Sequence, residues 1–456
     1  MTRRRRSMAV AIGAAALGML AAARVGSGPD EARLGGPATV EAEGRHAFGM
    51  ASPGLTVEER RAFAVGNSFF RDNWIVAPAS AEGRDGLGPL FNANSCSACH
   101  PDDGRGVPPL DLEHRGRGAV LLLATGDAGE GHPIYGRQLQ DQGVPGVPRE
   151  ADLRVEPVSV AGAYPDGTPY QLVRWDLVIG EPAYGSLAGA RTSLRVGQQL
   201  IGLGLLEAIE DRAILDREDP EDRDGDGVSG RARRIVAADG GVRVGRFGWK
   251  AAQPTLELQV MAALHEDMGL TSPAHPKEPV TAAQPAALAA PSGGSPEVDA
   301  GKVDRIAHYV RTLAVPAARR AEDPEVLLGR RLFAQAGCAS CHLPEWRTGE
   351  GTPIAAFRGA TIRPYTDLLL HDMGEALADD RPEPGADPRE WRTPPLWGIG
   401  LVQVVTPEAR FLHDGRAATI EEAVLWHDGE AEGSRRRFME LDRRERAALL
   451  AFVESL

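Results

Sequence analysis

The sequence has little of several features that usually direct interpretation. Aromatic residues make up 5% of the 456 positions, and there are only four cysteines. After residue 23 no apolar run approaches the length of about 20 residues that a membrane-spanning helix needs. Positive charge is in deficit, since the formal net charge is −13. These shortages argue against a polytopic membrane protein and against a nucleic-acid-binding protein, which needs a basic face.

The one long apolar run lies at the N-terminus. Arg3 to Arg6 form a basic segment, and Met8 to Ala23 is apolar, uncharged and ends in small residues. This pattern predicts a signal peptide over residues 1–23 and therefore a periplasmic or exported protein. An uncleaved signal that tethers the chain to the membrane is the alternative.

The four cysteines form two C-x-x-C-H motifs: Cys96, Cys99 and His100, then Cys338, Cys341 and His342. Two thiols at this spacing can add to the two vinyl groups of one haem, and the following histidine becomes the iron ligand. The motifs therefore predict two covalently bound haems c. Disulfides or a zinc site built from both cysteine pairs are weaker readings, because neither needs a histidine directly after each pair.

Helix signals surround both motifs. Asp323 is placed to cap a helix from Pro324 to Ala336, and Thr56 with Glu59 forms a capping box for a helix that ends near Phe70. We expect a mainly α fold with two tandem cytochrome c-like domains, at 45–271 and 301–456. Residues 272–300, rich in proline, alanine, glycine and serine, are predicted to be a linker. Alternating apolar residues from Arg117 to Arg191 predict a β-containing insertion in the first domain.

An internal repeat supports a duplication. Leu200–Ile209 is similar to Leu396–Val405, and Gly202 and Gly204 match Gly398 and Gly400. The matching glycines predict a backbone that passes close to something flat. Chance similarity between two apolar segments is the alternative.

The motifs together resemble a known superfamily. Arg392–Gly398, Phe411–Ala417 and Glu421–Val424 are similar to the C-terminal half of bacterial di-haem cytochrome c peroxidases and MauG-like enzymes. Gly86–Ala93, Leu200–Ile209 and Asp367–Gly374 resemble the di-haem oxidoreductase branch known as predicted thiol oxidoreductases. The resemblance runs from about Gly86 to Leu456.

The resemblance implies a ligand set for the second haem. In the peroxidases a methionine fourteen positions after the histidine of the His-Asp-Gly turn is the distal ligand. Here His427 stands fourteen positions after His413, which implies that His342 and His427 both ligate the second iron. Met373 and His371 are rival ligands, and a merely solvated His427 is the alternative.

The first haem is less determined. Peroxidase chemistry needs an accessible iron and a carboxylate that moves a proton. The first half lacks the aromatic-Asp-Gly-Arg turn of the peroxidases, and Glu207 is the candidate acid/base, with a structural carboxylate as the alternative. His114, His132 and His265 are all candidates to cap the first iron.

An acidic loop resembles part of a calcium site. Asp222, Asp224 and Asp226 occupy loop positions 1, 3 and 5, and Gly227 occupies position 6. Position 12 is Arg233, so the usual bidentate glutamate is missing. A bound Ca²⁺ is the prediction and a solvated acidic turn the alternative. Di-haem peroxidases hold calcium between their domains, which supports the former.

We expect a redox enzyme of peroxidase type, in which electrons enter at the second haem and pass to the first. A small redox carrier protein (a cytochrome or a cupredoxin) is the expected partner and hydrogen peroxide a candidate substrate. Two alternatives remain. One is an electron-transfer cytochrome with both irons closed, and the other is a MauG-like protein-modifying oxidase that uses Trp397 as a relay.

Overall fold

The structure is a computed structural model that describes residues 31–81, 83–111, 117–237 and 239–456. The predicted signal peptide (1–23) and His114 lie outside these residues. Across the described ranges, no helix has the length and apolar character needed to cross a membrane.

Helices account for 29% of the structure and strands for 18%, so the fold is mixed and not mainly α as expected. The described α-helices are α1 (Val57–Arg71), α2 (Cys96–Cys99), α3 (Leu203–Glu207), α4 (Asp211–Leu215), α5 (Leu256–Met268), α6 (Pro285–Leu288), α7 (Ala300–Arg311), α8 (Pro324–Gln335), α9 (Val402–Val405), α10 (Ile420–Leu425), α11 (Glu432–Glu440) and α12 (Arg443–Ser455).

The strands form small sheets of two or three members. They are β1 (Thr39–Val40), β2 (Leu90–Phe91), β3 (Ala119–Ala124), β4 (Gln138–Leu139), β5 (Gln142–Gly143), β6 (Leu153–Ala163), β7 (Pro169–Ile179), β8 (Arg191–Val196), β9 (Arg234–Val236), β10 (Val242–Val244), β11 (Val315–Pro316), β12 (Trp346–Arg347), β13 (Thr361–Ile362), β14 (Leu370–Asp372) and β15 (Glu390–Arg392). In the three-stranded sheet, β3 pairs antiparallel with both β4 and β8.

Local signals set the helix starts as predicted. The Thr56 side chain accepts a hydrogen bond from the Glu59 amide, and the Glu59 side chain accepts one from the Thr56 amide, which confirms the capping box of α1. Asp323 caps α8 by accepting from the Glu325 amide. Both helices lead toward a C-x-x-C-H motif.

Each half of the chain contains one close helix crossing. We call residues 31–313 the first half and residues 314–456 the second half. In the first half α1 packs on α7, and a Cβ at Gly66 would lie 2.8 Å from the Cβ of Tyr309. In the second half α8 packs on α12, and a Cβ at Gly329 would lie 2.8 Å from the Cβ of Phe452. Glycine therefore permits the same close approach twice.

The segment expected to be a linker lies against the first half. Ser272, Gln284 and Val298 are fully buried within it, and Gln284 donates a hydrogen bond to Glu150. The helix that follows, α7, packs on α1 in the first half, although we assigned it to the second domain; the domain bounds stay a prediction. Composition indicated irregular backbone here but carried no information on what that backbone packs against.

The repeated segments contact each other across the two halves. Gly202 lies against the indole of Trp397, and Gly398 lies against Ile201, the residue at the position matching Trp397. Both glycines have positive φ, 69° and 70°, with nearly equal ψ. The flat group that the first glycine approaches is thus a tryptophan of the other copy.

The predicted insertion forms a long hairpin that reaches the second half. Strands β6 and β7 pair antiparallel along their full length. Leu153 is opposite Ile179 at one end, and Ala163 is opposite Pro169 at the other. At the tip, the Tyr164 hydroxyl donates to Glu421 at 2.6 Å. Arg446 donates to Asp166 at 3.0 Å. We call residues 153–179 the strap.

Candidate functional site

The second C-x-x-C-H motif opens onto an apolar cavity. Gly337, with φ of 84°, ends the turn after α8, and Cys338, Cys341 and His342 all line the cavity. Its apolar walls include Phe333, Leu396, Ile399, Val424, Leu449 and Val453. The Nδ1 of His342 donates to the Tyr365 carbonyl at 3.0 Å, and burial lowers the pKa of His342 to about 4. The imidazole is therefore neutral, with its Nε2 lone pair free.

His427 lines the same cavity. It follows α10, which begins after Thr419, whose side chain accepts from the Glu422 amide at 3.1 Å. The Nδ1 of His427 donates to the Ala423 carbonyl at 2.7 Å, and burial lowers the pKa of His427. Its Nε2 is thereby left available in the same way as that of His342.

The rival ligand His371 is fully engaged. Its Nε2 lies 2.8 Å from Asp367 and its Nδ1 lies 2.7 Å from Glu430. Burial alone would lower the pKa of His371, but the charges and hydrogen bonds of Asp367 and Cys341 together outweigh it, so the pKa lies well above its usual value. An imidazolium that donates a hydrogen bond from each ring nitrogen has no lone pair left to bind iron. Met373 also lines the cavity and stays a rival.

The first C-x-x-C-H motif packs against the apolar core of the first half, with Cys99 buried and Cys96 partly buried. Cys96 and Cys99 bound the short helix α2, and the Nδ1 of His100 contacts the Gly104 carbonyl at 3.2 Å. Burial lowers the pKa of His100. Asp103, three residues on, accepts a hydrogen bond from the Tyr309 hydroxyl at 2.8 Å, and burial raises its pKa to about 7. All four cysteines are free thiols, so no disulfide competes with either motif.

A turn that the sequence analysis did not find in the first half is present there. Residues 247–253 match 411–417: each turn is closed by an antiparallel bridge between its first and last residues. Gly248 and Leu412 have φ of 78° and 68°, and Ala251 and Gly415 have φ of 51° and 71°. The first half therefore lacks the Asp-Gly-Arg residues, as expected, but has a turn of the same backbone form. Trp249 and Lys250 stand at the positions of His413 and Asp414, so the two turns share a backbone conformation but not a recognisable sequence motif.

The matched turns lead to matched helices with different residues at one position. Thr255 caps α5 as Thr419 caps α10, each accepting from the amide three residues on. Eight residues after Thr419 stands His427, and eight residues after Thr255 stands Ala263. Counted from the two capping threonines, Ala263 therefore corresponds in sequence to His427, although α10 ends at Leu425 and α5 continues to Met268.

A protein-family model described as "Di-haem oxidoreductase, putative peroxidase" matches residues 30–117 and 187–456. The chain belongs to this di-haem oxidoreductase family. The unmatched interval, 118–186, contains the strap. One solved structure, hydrazine synthase of Kuenenia stuttgartiensis pressurized with 20 bar xenon, is similar with 13% identity and a TM-score of 0.36. The match covers 90% of this chain and 91% of that one, and it is too weak to carry an argument. The comparison with curated proteins gives no match.

Membership of the di-haem oxidoreductase family agrees with the chemistry of the donor set. At the second site, two thiols, two neutral imidazoles with free Nε2 atoms and an apolar wall share one cavity. These are the groups that hold a c-type haem by its vinyl groups and its iron. At the first site, Cys96, Cys99 and His100 offer the same proximal set.

Three aromatic side chains that sequence reasoning did not single out as a group lie between the two sites. His413 stacks on Trp391 with centroids 3.8 Å apart, and Trp249 lies 6.4 Å from His413. All three line the second-site cavity. The Trp249 indole donates to the Val196 carbonyl at 2.7 Å, and the next residue, Gly197, lies against the His100 ring. We call Trp249, Trp391 and His413 the aromatic bridge.

The structure places Glu207 in a set of structural contacts. Its Oε1 accepts from the Leu256 amide at 2.8 Å, at the start of α5, and its Oε2 accepts from Arg311 at 2.6 Å. Proton transfer by Glu207 would require this ion pair to open, and its catalytic role stays a prediction. Trp397, the predicted relay, packs on the other repeat and is not part of the aromatic bridge.

The candidate histidines for the first iron differ in their surroundings. The Nδ1 of His132 accepts from the Ile134 amide at 3.2 Å, so it stabilises a local turn. His265 lies on α5, two residues after Ala263, and stacks on His275 with centroids 4.4 Å apart. Its Nδ1 is buried without a partner, and burial lowers the pKa of His265 to about 4.

The acidic loop lies beside the second motif. Carboxylate oxygens of Asp222, Asp224 and Asp226 lie within 4.8 Å of one another. The hydroxyl of Ser340, between the two motif cysteines, lies 3.5 Å from Asp226. Arg233, at loop position 12, instead pairs with Glu383 at 2.6 Å. Calcium binding by this loop stays a prediction.

Proposed function

We propose that this protein is an exported c-type redox enzyme with peroxidase-like activity, built from two cytochrome c-like domains. The observation that carries the proposal is Ala263, which corresponds to His427 when both are counted from the capping threonine of their helix. With a methyl group there, helix α5 supplies no ligand at that position, and the first iron keeps an accessible side. Haem supplies a one-electron iron couple, and access to its sixth position decides whether a small substrate reaches the metal.

The two sites then have different roles. His342 and His427 close the second iron, which suits electron transfer. His100 holds the first iron from one side only, which suits peroxide chemistry. The aromatic bridge runs from the second-site cavity to the neighbourhood of His100, and this supports electron passage from the second site to the first.

The proposed electron donor is a small carrier protein with a basic face. The chain has a net charge of −13, and the acidic loop lies next to the second motif. Complementary charge raises the rate of encounter between such partners. A Ca²⁺ ion held by Asp222, Asp224 and Asp226 belongs to the same proposal, since it would fix this loop against Ser340.

One observation favours an electron-transfer cytochrome as a second candidate. His265 carries a buried, unpartnered Nδ1 on the helix of Ala263. A shift of α5 that brings His265 to the first iron would close it and remove peroxidase activity. A MauG-like role is a third candidate, because the aromatic bridge offers rings that can be oxidised.

Low-temperature EPR of the oxidised protein, made in a host that matures c-type haems, tests the proposal. We expect one high-spin and one low-spin ferric signal. Ala263→His should convert the high-spin signal to low-spin and lower peroxide turnover at least tenfold, whereas His427→Ala should add a second high-spin signal. Ala262→His, one position along the same helix, is the matched control and should leave the spectrum unchanged.

The contradicting outcome is equally definite. Two low-spin signals in the fully oxidised protein, with a remaining ferric signal that is still low-spin after one-electron reduction, would exclude a peroxidase. His265→Ala would then show whether His265 is the ligand, since the first signal should become high-spin in that variant.

A further inference from the structure

Arg105 is a buried cation without a matching anion. It follows the first C-x-x-C-H motif in sequence, yet it is 3% exposed and lines the cavity of the second site. Its Nη2 donates to the Leu412 carbonyl at 2.7 Å, and its guanidinium lies 5.3 Å from the Trp249 ring centroid. Among the residues that the structure describes, none offers a hydrogen-bond partner to its buried Nε. Within the described ranges no carboxylate forms an ion pair with it.

Other buried cations nearby are satisfied. Lys250 pairs with Asp379 at 3.0 Å, and Arg416 pairs with Asp414 at 2.7 Å. Arg392, the other fully buried arginine of the cavity, donates to the Gly248 carbonyl, the Thr393 carbonyl and the Gln198 side chain. A buried charge normally requires a partner, because removal from water costs several kcal/mol. Burial lowers the pKa of Arg105 to about 10, so the side chain still carries its charge at neutral pH.

The missing anion has a natural source in the group that fills the cavity. Haem carries its two vinyl groups on one edge and its two propionates on the opposite edge. A haem bound through Cys338 and Cys341 therefore presents its carboxylates away from those thiols. Arginine is well suited to such a carboxylate, because its planar guanidinium can donate two parallel hydrogen bonds.

We propose that Arg105 binds a propionate of the haem held by Cys338, Cys341 and His342. The proposal rests on the proposed function to the extent that a haem occupies this cavity. It makes Arg105 a positioning residue that the first half contributes to the cofactor of the second half. The position of Arg105, which is set by packing in the first half, would then affect the potential of the haem in the second half.

The remaining charged and titratable groups of this cavity already have partners or are neutral. His371 and Glu430 bind each other at 2.7 Å, and Arg435 pairs with Asp428 at 3.3 Å. Burial and neighbouring cations hold the pKa of His413 well below its usual value, so it is uncharged. The groups that line the cavity and carry a charge or a titratable proton are Arg105, His342, His371, Arg392, His413, His427, Glu430 and Arg435, besides the two thiols.

The test is the midpoint potential of the low-spin haem, measured by spectroelectrochemistry on the full protein. In Arg105→Gln the equilibrium constant for reduction should fall about tenfold, which is 59 mV for a one-electron couple. The lost cation no longer offsets the propionate, so the ferric state gains. Arg105→Lys keeps the charge and should retain most of the potential. Arg154→Gln removes a half-exposed cation from the strap and is the control for net charge.

A second measurement follows the potential of the second haem with pH, first in the unmodified protein. If a propionate is paired with Arg105, the second-haem potential of the unmodified protein should be independent of pH between pH 6 and 8, and Arg105→Gln should introduce a pH dependence. An unchanged potential in Arg105→Gln, or a steep pH dependence in the unmodified protein, would overturn the proposal. If Arg105→Gln does not fold, the pH dependence of the potential in the unmodified protein still tests the proposal.

The outcome is separable from that of the proposed function. The EPR experiment asks whether the first iron is accessible, and its answer leaves the potential of the second haem measurable. A closed first iron would overturn the peroxidase proposal alone. An Arg105→Gln protein with unaltered potential would overturn this inference alone.

Discussion

Replacement of Glu383 by glutamine should weaken the contact between the two halves. The Glu383 side chain is 7% exposed and accepts hydrogen bonds from Arg195 at 2.9 Å, Arg233 at 2.6 Å and Arg381 at 2.9 Å. Arg195 and Arg233 belong to the first half, whereas Glu383 belongs to the second. Glu383→Gln leaves three buried guanidinium groups with Asp379 as the carboxylate that remains in contact with Arg195. Removal of one partner from a buried ion pair costs about 3–5 kcal/mol, a large share of the total stability of a typical domain.

Urea denaturation followed by far-UV circular dichroism measures this loss. The expected result at pH 7 is a lower transition midpoint with an unchanged slope. Burial alone would raise the pKa of Glu383, but the arginines outweigh it and hold the pKa far below its ordinary 4.5. The stabilisation is therefore present above pH 4.5 and is lost as the pH falls, so the gap between the two proteins should narrow toward pH 3.

The control for Glu383→Gln is Glu156→Gln, which removes an exposed carboxylate that pairs with Arg154. Its effect should stay within about 0.5 kcal/mol, as for surface ion pairs in general. Equal stability of Glu383→Gln and the unmodified protein at pH 7 would refute the reasoning. So would a gap that widens in acid.

Two further perturbations follow from burial and close packing. Gly329→Val places a side chain against the Ala448 carbonyl at the α8–α12 crossing, and we expect a loss of about 3 kcal/mol or failure to fold. Gly351→Ala, where nothing lies within 4 Å, should be near neutral, and urea denaturation of both variants measures the difference. Burial raises the pKa of Glu150 to about 8, so folding stability should fall as the pH rises from about 4.5 to 8. Glu150→Gln should flatten that fall, and an identical pH profile would contradict the assignment.

The elements predicted correctly from sequence are those with local signals. The capping residues Thr56 and Asp323 determine where α1 and α8 begin, because the hydrogen bonds they form are made within three residues. The C-x-x-C-H motifs likewise carry their chemistry within five residues. The β-containing insertion was predicted from short alternating runs, although the strap is longer than those runs suggested.

What was missed depends on contacts between distant residues or on backbone shape. The turn at 247–253 shares positive φ angles with the one at 411–417, but Trp249 and Lys250 give no chemical hint of it. The packing of α7 on α1 joins segments more than two hundred residues apart, which composition cannot report. His427 was predicted through a family resemblance, and the reason it is suited to the role, the Nδ1 bond to Ala423, is visible only in the structure.

The contacts of the strap constrain the order in which parts of the protein can fold. Its tip contacts join residues 257 and 280 positions apart, Tyr164 with Glu421 and Arg446 with Asp166. A chain that emerges from its N-terminus therefore exposes the tip long before its partners exist. Resistance of residues 164–168 to limited proteolysis would then report that α10 and α12 have docked on the strap. The contacts at the strap tip can therefore form only after the C-terminal helices exist, and they belong to a segment that lies outside the family match.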